Sequence, residues 1–108
     1  MKRVVYARRG GLEAIEIIEE ENPKPAGEQV RIEVHRAGIN FADLMMRQGL
    51  YGAAPDFPFT PGYEISGIVS ELGGNVNDFS VGDRVVALSG FGGYAEQVVV
   101  DENRVWPL

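Results

Sequence analysis

The sequence predicts a mainly-β domain, a barrel or sandwich of short strands with one short helix after the third strand. Three observations lead there. Short runs that alternate apolar and polar residues recur along the chain, the period-two pattern of a half-buried strand. Gly (14) and Pro (6) fall between those runs, so most breaks read as turns. Only Asn40 to Gly49 combines helical spacing with start and stop signals. At 108 residues and 44% hydrophobic content the chain suits one domain with its own core.

Lys2 to Ala7 reads as the first strand, Gly10-Gly11 as its turn, and Leu12 to Ile18 as the return strand. The basic residues Lys2, Arg3, Arg8 and Arg9 read as a solvated hairpin edge rather than an anion site, because Glu13 and Glu16 follow at once. Asn22 to Gly27 is a turn-rich break. Val30, Ile32 and Val34 then alternate with Arg31, Glu33 and His35 in the cleanest half-buried strand of the chain. His35, the one histidine, falls on the polar side and reads as a rim residue.

Asn40 stands at the N-cap of the helix that follows, Asp43 at its third position and Gly49 at its end. Phe41, Leu44, Met45 and Gln48 share one face by spacing. Pro55, Pro58 and Pro61 fix the path of the next loop. Ile65 to Leu72 and Arg84 to Leu88 resume strand character, with turns at Gly73-Gly74-Asn75 and Val81-Gly82-Asp83. Ser89 to Gly93 reads as a hairpin turn and Tyr94 to Val100 as the last strand. Asp101 to Leu108 receives no element.

Several functions are disfavoured on chemistry. A net charge of -6 and a pI near 4.7 oppose sequence-independent nucleic-acid binding. With no cysteine there is neither a disulfide nor a thiolate metal site. No apolar run approaches the ~20 residues of a membrane-spanning helix, so a cytoplasmic domain is expected. The glycines of Ser89 to Gly93 do not form a phosphate loop, since a strand follows them and they include no lysine.

Gly38-Ile39-Asn40-Phe41-Ala42-Asp43-Leu44, Gln48-Gly49-Leu50-Tyr51 and Thr60-Pro61-Gly62-Tyr63-Glu64 resemble the medium-chain dehydrogenase/reductase superfamily. So do Gly67-Ile68-Val69, Val81-Gly82-Asp83-Arg84-Val85 and Gly93-Tyr94-Ala95-Glu96. Within it, the chain most resembles the zinc-free quinone oxidoreductases, in particular the vesicle amine transport protein homologues. The resemblance covers essentially the whole chain. It implies a GroES-like barrel (residues 1–108) forming the substrate side of an NADPH-dependent enzyme, with a Rossmann cofactor domain to follow residue 108. In zinc-dependent relatives a cysteine stands in place of Asn40 and a histidine in place of Tyr63. With neither present, and one histidine on the polar strand face, no metal site is expected.

Hydride transfer to a quinone or an α,β-unsaturated carbonyl builds negative charge on the substrate oxygen, which without a metal only hydrogen-bond donors can stabilise. Asn40 is the first candidate: its amide oxygen can cap the helix while its NH2 donates into the cleft. Tyr51 is the second, placed by the resemblance beside nicotinamide or substrate, with a plain core-edge tyrosine as the alternative. Both are candidate catalytic and cofactor-binding residues. Asp43 reads first as support for the helix N-terminus, with a cofactor contact as a secondary role. Phe41, Tyr63 and Met45 are the candidate substrate-binding residues; Met45 stands where some relatives have another tyrosine. Phe57 also suits the pocket, Phe59 reads as core, and Glu64 as the partner of a nearby arginine. A small carbonyl substrate and a homo-oligomer are the expected partners. Two other readings stay open: a stand-alone barrel that binds partners or self-associates, and an enoyl-thioester reductase domain.

Overall fold

The alternation of the third strand sets the architecture. In Gln29–Ala37 it sends Val30 and Ile32 fully inward and leaves His35 exposed. The computed structural model describes all 108 residues. In chain order the elements are β1 (Lys2–Tyr6), β2 (Ile15–Glu19), β3 (Gln29–Ala37), α1 (Phe41–Arg47), β4 (Glu64–Leu72), β5 (Arg84–Leu88), β6 (Gln97–Asp101) and β7 (Val105–Pro107). β1 and β2 form a hairpin, and the other five strands form one antiparallel sheet in the order β6-β3-β4-β5-β7.

One face of the larger sheet closes over Val30, Ile32, Ile65, Val69, Val85, Ala87, Val98, Val100 and Val105. Burying each of the larger of these side chains contributes about 1.5–3 kcal/mol. A second, smaller core joins Tyr6, Met46 and Phe59 under the helix, with the Tyr6 and Phe59 rings edge-to-face at 5.7 Å. Backbone bonds fasten the β1–β2 hairpin across the barrel: Val4 N–H donates to the Tyr94 carbonyl and Tyr6 N–H to that of Phe59, both at 2.8 Å, and Phe59 N–H and Glu96 N–H donate back to Tyr6 (3.3 Å) and Lys2 (3.0 Å). The mainly-β expectation holds, and so does the core position of Phe59.

Several local expectations change, among them the start of the strand expected from Tyr94, which begins at Gln97. The return strand begins at Ile15, after a single 3-10 turn at Leu12–Ala14. A seventh strand lies in the tail: Val105, Trp106 and Pro107 pair with Ala87, Val86 and Val85, and the sheet edge tolerates the proline. Ser89 to Gly93 is not a hairpin, because β5 and β6 are separated by β4 and β3; it crosses the end of the barrel instead. The helix turns its other side inward. Asp43 and Met46 are buried, whereas Phe41 (75% exposed), Leu44 and Gln48 face out and Met45 is half-buried. Apolar residues occupy both sides of this short helix, and the distant rings of Tyr6 and Phe59 select Met46. The basic edge also does more than face water, since Arg3 pairs with Glu20 at 2.6 Å and donates to Thr60 Oγ1 at 2.7 Å.

Candidate functional site

The site is built from the two ends of α1 and the loop before β4. Asn40 has extended backbone angles (φ -122°, ψ 151°), as an N-cap requires, and Gly49 adopts φ +75° just past the C-cap Gln48. Asn40 and Asp43 are arranged as a capping box. Its well-formed half is the bond from Asn40 N–H to Asp43 Oδ2, 3.0 Å. The Asp43 N–H is held at 3.0 Å by the main-chain carbonyl of Asn40. The Asn40 amide is therefore less committed to capping than the N-x-x-D spacing suggests. Its Nδ2 is buried and has no hydrogen-bond partner, an unpaired donor that costs about 1–3 kcal/mol.

Asp43 is only 4% exposed. Its Oδ2 accepts a second bond, from the hydroxyl of Tyr94. The same hydroxyl lies 3.2 Å from the Gly38 carbonyl; its single proton is best spent on the charged acceptor. Burial raises the Tyr94 hydroxyl pKa, and the bond to Asp43, the Asp43 charge and Tyr6 raise it further. Burial likewise raises that of Tyr6, reinforced by Asp43 and opposed by Arg47. Asp43 thus sits in the protein as the hub of a buried polar cluster. Tyr94 was not among the candidates from sequence, because its partner lies 51 residues away.

Tyr63 is placed by the glycine-rich crossing. Gly90 N–H donates to the Tyr63 carbonyl (3.1 Å), Gly92 N–H to Thr60 (2.8 Å), Gly93 N–H to Gly62 (3.1 Å) and Tyr94 N–H to Pro61 (3.0 Å). Ser89 Oγ adds a bond to the Gly62 carbonyl at 2.6 Å. Only glycine fits at 62: φ is +116°, and a Cβ there would lie 2.5 Å from Gly93 Cα. The Tyr63 ring remains 41% exposed.

Tyr51 follows the helix stop and is 37% exposed. Ile39 (87%), Phe41 and Leu50 (63%) are also open, so large apolar groups stand uncovered at both ends of α1. Of the candidate residues, only Asn40 and Asp43 are joined by a side-chain hydrogen bond. An open groove of about 350 Å³ is lined in part by Arg36, Gly38, Glu64, Leu88 and Trp106, and none of the candidate residues lines it. Glu64 makes no ion pair; its side chain lies over Gly38, where a Cβ would come within 2.5 Å of Oε1. No three His, Cys, Asp or Glu side chains converge as metal ligands.

Residues 26–108 match the family model described as the alcohol dehydrogenase GroES-like domain. The chain is 45% identical over 93 residues to quinone oxidoreductase-like protein 2 of Bos taurus, covering 85% of this chain and 27% of that protein. It is 41% identical over 108 residues to the synaptic vesicle membrane protein VAT-1 homolog-like of Homo sapiens, covering 100% and 26%. The crystal structure of the human VAT-1 homolog-like protein superposes with a TM-score of 0.96 at 38% identity, over 100% of this chain and 34% of that one. The Escherichia coli quinone oxidoreductase complexed with NADPH gives 0.94 at 33% identity, over 100% and 33%. The chain spans about a quarter of the length of the curated relatives it matches.

Proposed function

The chain belongs to the alcohol dehydrogenase GroES-like domain family of medium-chain dehydrogenases/reductases, and on that premise we propose that it is the substrate-side domain of an NADPH-dependent, zinc-independent reductase of quinones and α,β-unsaturated carbonyls. The observation that carries the reading is the buried, unpartnered Nδ2 of Asn40. An oxygen that gains negative charge during reduction is a fitting acceptor for that donor. The quinone oxidoreductase relatives and the neighbour complexed with NADPH support the chemistry and the cofactor class.

NADPH, when bound, supplies the hydride. In this reading Asn40 donates from Nδ2 to the substrate oxygen, and Tyr51, half-exposed at the other end of α1, lines the pocket and offers its hydroxyl. Phe41 and Tyr63 are exposed and available to a planar substrate, and Met45 is half-buried on the same helix as Phe41. Asp43 contributes by holding Asn40 rather than by reaching outward. Zinc independence is supported by the donor set of this chain, which has no cysteine and a single, exposed histidine. We place the pyrophosphate-binding glycines in a Rossmann domain of the full-length protein.

The test is NADPH consumption by the full-length protein with a quinone, an enone and an enoyl thioester, each with and without a metal chelator. Turnover of quinone or enone unaffected by chelator supports the reading. Turnover confined to the thioester moves the assignment to that class, and loss of activity on chelation contradicts zinc independence.

A further inference from the structure

Tyr94 touches both halves of the candidate site. Its hydroxyl reaches Asp43, whose Oδ2 also takes the Asn40 N–H at 3.0 Å. Its own N–H donates to Pro61 at 3.0 Å, within the loop that ends in Tyr63. Its carbonyl accepts the Val4 N–H at 2.8 Å, so β1 braces it from behind. Asp43 is almost fully buried and lies on the inward side of α1. It cannot contribute by exposure, only by what it holds.

We propose that Tyr94 is a positioning residue for Asn40, acting through the Asp43 carboxylate. The inference rests on the reading of Asn40 as the substrate-oxygen donor and adds the residue that sets its place. A seven-residue helix has too few internal bonds to fix its own start. The Tyr94 hydroxyl pins Asp43 in one orientation, Asp43 pins the Asn40 backbone, and the Asn40 amide then projects from a fixed Cα. Because a misplacement of about 1 Å costs on the order of 10²-fold in rate, this bond bears on turnover without touching substrate. Phenylalanine at position 94 would keep the ring and remove only the donor.

The experiment compares Tyr94→Phe, Asn40→Ala and the double variant in the full-length protein. Amide hydrogen exchange at Asn40 is expected to quicken about tenfold in Tyr94→Phe, while the Ile32 and Val98 amides of the sheet stay at wild-type rates. Unchanged exchange at Asn40 overturns the proposal, whatever the enzyme's activity. With 1,4-benzoquinone and NADPH, Tyr94→Phe is expected to lower kcat about tenfold with little change in the KM for NADPH. The double variant should be no slower than Asn40→Ala alone; losses that multiply would show that Tyr94 acts independently of Asn40. Should wild type fail to reduce quinones at all, the functional assignment falls and the exchange data still decide the role of Tyr94. Asp43→Asn serves as the second variant if Tyr94→Phe does not fold. It weakens the same link and should also quicken exchange at Asn40, and a wild-type rate there overturns the proposal.

Discussion

The hydroxyl of Tyr94 donates to the carboxylate of Asp43 across 51 residues of sequence, joining the last third of the chain to the start of its only α-helix. The consequence is a helix whose inward side is polar at its first turn and apolar at its second, where Met46 meets Tyr6 and Phe59.

That division gives a contrast between neighbours. Met46→Ala removes a side chain that is 1% exposed in the small core and is expected to cost about 2–5 kcal/mol. Phe41→Ala, on the outer side and 75% exposed, should stay within about 0.5 kcal/mol of wild type. Urea unfolding measures both. A large loss from Phe41→Ala would mean that the ring packs in the core and does not serve the cleft.

Gly62→Ala forces a side chain into a contact 2.5 Å from the Gly93 backbone at φ +116°. The expected destabilisation is at least about 1–3 kcal/mol from strain alone, and the loop carrying Tyr63 must shift. Thermal unfolding and substrate KM should both respond. Unchanged values would show that the two loops separate easily.

Alkaline stability should depend on Tyr94 and Tyr6. Both hydroxyl pKa values are raised in the folded protein above their ordinary 10.0. Once pH exceeds 10, unfolded chains release these protons and folded ones retain them, so the unfolded state binds fewer protons and stability falls with rising pH. The contribution is complete below that pH and is lost as pH climbs toward the folded-state values. Tyr94→Phe should flatten this decline, as followed by urea midpoints across the alkaline range. An equally steep decline in the variant would place the titration elsewhere.

Much of this fold was legible in sequence because its signals are local. Asn40 and Gly49 bound the helix by side-chain chemistry and by a positive φ, and β3 declared its buried side by strict alternation. What escaped was non-local. β7 is only three residues long, ends in a proline and forms by pairing with β5. The Ser89 to Gly93 segment has the composition of a hairpin turn, and only strand order reveals that it crosses the barrel. Tyr94 looks like an ordinary strand aromatic until Asp43 is seen opposite it. Asn40 was legible as a cap and donor, whereas the hydrogen bond from the Asp43 N–H to its main-chain carbonyl was not.

Asn40→Asp in the full-length protein keeps an N-cap side chain, but it sets a second carboxylate beside the buried Asp43 and should lower the urea midpoint, a loss that Asn40→Ala avoids. It should slow quinone reduction, because it removes a donor and adds negative charge near the substrate oxygen.

The most direct measurement is chelator-treated, NADPH-dependent quinone reduction by the full-length protein and its Asn40→Ala variant. Wild type is predicted to keep its full rate with chelator, and Asn40→Ala to lose about 10²–10³-fold in kcat. A wild-type rate abolished by chelator, or an Asn40→Ala rate equal to wild type, would contradict the account.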